Sequence, residues 1–219
     1  MKTVVFAALA CCACLAWMAS PVSAGNDGRN ITSVNGSVEA AAGQTYETLS
    51  TVNGSVHVGR GVTADEAKTV NGRISIEDDA KLGHASTVNG SLNIGEGATI
   101  SKEASTVNGR ISLARRAHVG GDVSTVSGGI TLEGAEVGGS INTHNGNIEL
   151  TDGAHVRGGI NVRKKNDSGW SWGKDEPVQV RICSSCVVEG ELRFDRPVEL
   201  HVEPGAKIGK VIGDSVTRR

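Results

Sequence analysis

One seven-residue phrase constrains the fold more than anything else in the chain. STVNGSV at 50–56 returns as KTVNGRI at 68–74, STVNGSL at 86–92 and STVNGRI at 105–111. Counted on the residue before the Asn-Gly pair, the units fall at Val34, Val52, Val70, Val88, Val107, Val126 and His144, spaced by 18 or 19 residues. The pairs themselves are Asn35-Gly36, Asn53-Gly54, Asn71-Gly72, Asn89-Gly90, Asn108-Gly109 and Asn145-Gly146, with Ser127-Gly128 as the one departure. A fixed period near 20 residues is the signature of a solenoid.

The text between the pairs says which solenoid. After each glycine comes a polar–apolar alternation: SVHV, RISI, SLNI, RISL, GITL, NIEL. That is the period-two pattern of a half-buried strand. A second apolar position follows a corner rich in Gly and acids, in AKLG (80–83), ATIS (98–101), AHVGG (117–121), AEVGG (135–139) and AHVRGG (154–159). Three short strands and three corners in about 18 residues describe one triangular coil. Asn-Gly also marks tight hairpins, but a hairpin array leaves most of the regularity unused. The expectation is an all-β, single-stranded, triangular parallel β-helix of about ten coils and 45–50 Å.

In such a coil like residues stack on like at about 4.8 Å. Val, Ile and Leu then fill the interior without aromatics. This suits a chain whose only aromatics after residue 24 are Tyr46, Trp170, Trp172 and Phe194. Stacked Asn side chains can hydrogen-bond along the column, and Asn accepts left-handed backbone at a corner. The phrase reads as placing its Val inward, with His144 in an inward slot. The sequons at Asn30, Asn35, Asn53 and Asn89 are accounted for by the corner motif.

The chain divides into four parts. Residues 1–24 combine Lys2, the apolar run VVFAALACCACLAWMA and the small residues of PVSA, the pattern of a cleavable signal peptide. The apolar run is short for a bilayer span, so the mature chain is expected to have no transmembrane segment. Cys11, Cys12 and Cys14 make a poor lipidation site. Residues 25–166 carry the Asn-Gly repeats. Residues 167–177, DSGWSWGKDEP, read as a Trp-containing excursion loop, and 178–219 as final coils with a C-terminal cap. Without the first 24 residues the chain has 21 basic and 24 acidic residues, net −3 and scattered. Nucleic acid is therefore not an expected partner.

The rhythm of GAEVGGSINTHNGNIELTDGAHVRGGI (134–160) resembles the bactofilins, the polymer-forming cytoskeletal family. The TVNGSI-type phrase is similar to bacterial putative-adhesin repeats. The likeness covers about 31–212. It implies a right-handed triangular β-helix, no cofactor and, through the bactofilins, end-to-end self-assembly. Bactofilins are chiefly cytoplasmic, whereas the signal sequence here points to export.

Residues able to carry chemistry are few. Cys183 and Cys186, in CSSC, are an even pair in an exported chain, which suggests a disulfide; a redox role or a metal role is the other reading. GWSWG (169–173) matches the nucleophile-elbow pattern at Ser171, but Pro177 leaves no room for the helix that elbow needs. Trp170 and Trp172 could stack on sugar faces or meet a partner protein, or fold back on the solenoid. One outward column should hold Lys81, Thr99, His118, Glu136 and His155, in which His118, Glu136 and His155 are weak metal candidates. The acids of EDD (77–79) and the bases of ARRA (114–117) are the pieces of a polysaccharide-cleaving site, expected on different coils and corners.

No catalytic residue and no cofactor emerges. The expected role is an exported, non-catalytic structural scaffold of the cell envelope, periplasmic or on the surface, self-assembling end to end. An adhesin or glycan- or protein-binding module using the Trp loop and a side face is the alternative, with a β-helical polysaccharide-active enzyme third.

Overall fold

The computed structural model describes residues 30–164, 176–213 and 216–218. Those residues form strands and turns only, and every strand pairing is parallel. Ten strands stack in one sheet, from Val38–Ala40 at one end to Val216–Arg218 at the other. A second, 16-stranded sheet forms the remaining two sides. This is the expected parallel β-helix, with one strand of the ten-stranded sheet per coil.

Each coil has a first side ending in the Asn, a second side just after the Gly, and a third side beyond the acid- or Gly-rich corner. Ser86 to Asn89, Leu92–Ile94 and Thr99–Ile100 are one example. In the early coils the third side runs into the next first side as single nine-residue strands, Thr45–Asn53, Thr63–Asn71 and Lys81–Asn89. From Thr99 onward the two separate. The cause is one added residue: two residues lie between Leu82 and Ala85, but three between Ile100 and Ala104. The extra residue cannot stay in register, so the strand breaks at that corner.

Registers confirm the stacking residue by residue. Val38, Val56, Ile74, Leu92, Ile111, Ile130 and Ile148 lie above one another, continued by Val180 and Leu200. All are essentially inaccessible to solvent. Where the first side offers small Ala67, Ala85 and Ala104, the second side answers with Ile and Leu; later the same first-side column grows to Val123, Ile141 and Ile160. Truncating one of these large residues to Ala removes about 2–5 kcal/mol.

The excursion belongs to one coil. Ile160 pairs with Leu192, a 32-residue step where other coils take 18 to 20. Val162 continues the Thr143 column, which puts Lys164 in the Asn position. The excursion thus replaces the Asn-Gly corner itself. Ser171, Trp170 and Trp172 lie outside the described residues, as does the signal segment.

Candidate functional site

The Asn-Gly corner is a continuous side-chain ladder from Asn35 to Asn108, ended by Ser127, and Asn145 beyond it bonds Arg196 instead. Asn53 Nδ2 donates to Asn35 Oδ1 at 3.0 Å, Asn71 to Asn53 at 3.0 Å, Asn89 to Asn71 at 2.9 Å and Asn108 to Asn89 at 3.0 Å. All four point the same way along the rod. The backbone reading of these Asn residues needs correction, because none of them is left-handed. The non-glycine residues with positive φ are Asp79, Arg116 and Asp152, at 58°, 59° and 54°, all on the second corner. Asn is required at the first corner for its amide. The glycine beside it is required for closeness: a Cβ on Gly72 would collide with the carbonyl oxygen of Gly54 one coil back, and Gly90 and Gly109 repeat the arrangement.

The inward residue of the phrase is Thr, not Val. Thr51, Thr69, Thr87, Thr106, Thr125 and Thr143 are buried, while Val34 and Val52 are exposed at 43% and 36%. The buried hydroxyls are satisfied. Thr51 Oγ1 donates to Gly36 O at 2.8 Å and Thr69 to Gly54 O at 2.9 Å, and Thr87, Thr106 and Thr125 repeat the bond. A hydroxyl in the core is tolerated because the tight glycine corner of the coil before turns a carbonyl toward it. His144 consequently stands in an outward, half-buried column. Burial, then the charges of Arg163 and Arg196, hold its imidazole below the ordinary value.

The acids of EDD and the arginines of ARRA share one corner, against the expectation of different corners. Arg60 pairs with Asp78 at 3.1 Å, Arg116 with Glu96 at 2.8 Å, and Arg115 with both Glu133 and Asp152 at 2.8 and 2.7 Å. The corner is a ridge of opposite charges neutralising one another across coils. Asp152 first, then Glu133, push the Arg115 guanidinium above its usual value. Committed to one another, these groups do not form a free acid–base set.

The outward column Lys81, Thr99, His118, Glu136, His155 is present in the expected order. Its metal candidates do not converge. His118 Nδ1 lies 3.5 Å from Glu136, but Arg157 takes Glu136 at 2.6 Å and His155 turns to Glu189 at 2.9 Å. Among the described residues no group of three or more His, Cys, Asp or Glu gathers around a common point. Cys183 and Cys186 are joined in a disulfide. Cys186 is fully buried, in line with Ala154 and Ala206 of the adjoining coils, so half of the link belongs to the core.

Arg196 is a residue that sequence reasoning missed. Its Nη1 donates to His144 O at 2.8 Å and to Asn145 Oδ1 at 3.0 Å, and its Nη2 donates to Glu176 O at 3.0 Å. It ties the returning end of the excursion to the corner it displaces. Its partners stand 52, 51 and 20 residues away in sequence, so only the coil geometry connects them.

Three shallow depressions run in series along the outer face of the second side. The first, about 480 Å³, is flanked by Arg73 and Arg110. The second, about 470 Å³, shares Arg110, Gly128 and Gly129 with it and reaches Glu149 and Glu176. The third, about 590 Å³, shares Glu149 and holds Arg181, Glu199, His201 and Glu203. The face therefore passes from basic to mixed, acid-rich character along the rod.

The two ends are the other surfaces able to act. Among the described residues, Asn30–Asn35 and Val38–Ala40 pair only with the following coil. Lys207–Ile208, Val211–Ile212 and Val216–Arg218 pair only with the preceding one. Ile208, Val211 and Val216 are only partly buried. No described helix is long and apolar enough to cross a membrane. No protein-family model, no curated protein and no solved structure matches the chain.

Proposed function

We propose that the chain is an exported, non-catalytic scaffold of the cell envelope that assembles end to end. One observation carries the reading: among the described residues, each end of the rod offers strands bonded on one side only, in a lattice that repeats at every coil. Unpaired strand edges template further pairing. Stacking that continues the parallel lattice sets the C-terminal edge of one copy on the N-terminal edge of the next. A contact of that kind does not close on itself and propagates as a filament. The half-covered Ile208, Val211 and Val216 would gain the burial that every interior coil already has.

The side faces suit a structural element better than a catalyst. The charges of the second corner are paired off, and the candidate metal column is divided among separate ion pairs. Sedimentation of the exported chain over a range of concentrations tests the assembly. Growing length at constant width supports it. A Val211→Lys variant that remains folded should shift the distribution back to single rods; unchanged monomers at every concentration would remove end-to-end growth from the account.

A further inference from the structure

The depression between Arg73 and Arg110 has two independent features. First, its charges are uncommitted. Arg60, Arg115 and Arg116 on the adjacent corner all meet carboxylates, whereas among the described residues neither Arg73 nor Arg110 is in an ion pair. No carboxylate lines this depression; Ser91 and Asn93 lie on the coil between the two arginines, and Ser112 lies beside Arg110 on its own coil. Second, the depression stays open because of a glycine the backbone does not demand. Gly129 continues the column Arg73, Ser91, Arg110, whose backbone bonds run Ile74 N to Ser91 O, Leu92 N to Arg110 O and Ile111 N to Gly129 O. A Cβ there would meet nothing closer than 3.6 Å and its φ is ordinary. The absent side chain leaves space and nothing more.

Arg73 and Arg110 stand two coils apart, about 10 Å along the axis at the backbone, with short hydroxyl and amide side chains between them. We propose that this depression binds an acidic linear polysaccharide lying along the rod, carboxylates on Arg73 and Arg110 and hydroxyls on Ser91, Asn93 and Ser112. Guanidinium forks match carboxylates in geometry as well as charge. An extended peptide is disfavoured, because the backbone groups beneath are already used between coils and cannot add a strand. Nucleic acid is disfavoured too: the lining holds no aromatic platform for a base, and two cations are few for a phosphate chain. Glu149 and Glu176, in the next depression, would repel the anion and mark where the site ends.

Isothermal titration of the full exported chain with oligogalacturonate, a neutral dextran of equal length and oligothymidylate tests the proposal. Oligogalacturonate should bind, more weakly as salt rises. Arg73→Ser and Arg110→Ser should each weaken it at least tenfold, and Gly129→Gln should weaken it by filling the depression. Ser is already the residue of this column at Ser55 and Ser91, and circular dichroism should show all three variants folded. Dextran binding equally well, oligothymidylate binding as tightly, no binding of oligogalacturonate at millimolar concentration, or unchanged affinity in the folded Arg73→Ser/Arg110→Ser double variant would each overturn it. None of these outcomes bears on assembly through the ends.

Discussion

Asn71 donates its side-chain amide to Asn53 at 3.0 Å and accepts the same bond from Asn89 at 2.9 Å. An interior member of the column therefore holds two ladder bonds, and Asn35, the first, holds one. Net hydrogen bonds contribute about 0.5–1.5 kcal/mol each, and less when exposed. Asn71→Ala should cost about 1–2 kcal/mol and Asn35→Ala about half as much, read as the loss of thermal midpoint by circular dichroism. Equal losses would show that the bonds do not act as a column.

Two glycines separate closeness from mere smallness. Gly72→Ala drives a Cβ into the Gly54 carbonyl, whereas Gly129→Ala places one at ordinary van der Waals distance, 3.6 Å from Asn147 O and 3.8 Å from Arg110 Nε. The first should destabilise by about 2–4 kcal/mol and the second by no more than about 0.5 kcal/mol. Chemical denaturation of the two variants side by side measures the contrast.

The period was legible in the sequence because stacking makes every coil obey the same packing constraints, and the registers follow the spacing of the repeated phrase. What the phrase did not disclose was its inward side. Thr87 and Val88 are both β-branched, and both fit a strand, so alternation alone favours the more apolar one. The decision lies in the Gly72 carbonyl that receives the Thr87 hydroxyl at 3.1 Å, a partner supplied by the previous coil. The meeting of Asp78, Glu96 and Arg116 on one corner followed from the same period that located the Asn column. Arg196 was hidden for a different reason: its contacts cross the excursion, where the period is interrupted.

His144 makes the fold sensitive to acid. Burial, reinforced by Arg163 and Arg196, lowers its folded pKa below the ordinary value of 6.5. The unfolded chain takes up the proton near pH 6.5 while the folded chain still resists it. Stability from this residue is intact above that pH and declines as pH falls toward the folded pKa. His144→Val, the residue of the same column in six other coils, should raise the thermal midpoint more at pH 5 than at pH 8. An equal gain at both values would exclude protonation as the cause.

Arg196→Ala removes donors from three acceptors at the base of the excursion. Bonds to a charged group contribute about 1.5–3 kcal/mol, and here the damage should be local. Hydrogen exchange should quicken at residues 144–147 and 176–178 and stay unchanged around Asn53 and Asn71. Uniform loss of protection along the rod would show that Arg196 supports the whole solenoid instead.

Fibre diffraction from concentrated, aligned protein lacking residues 1–24 tests the central claim most directly. End-to-end growth puts the coil repeat along the filament, so a reflection near 4.8 Å should fall on the meridian. The same reflection on the equator, or scattering from separate rods at every concentration, would contradict assembly through the open ends.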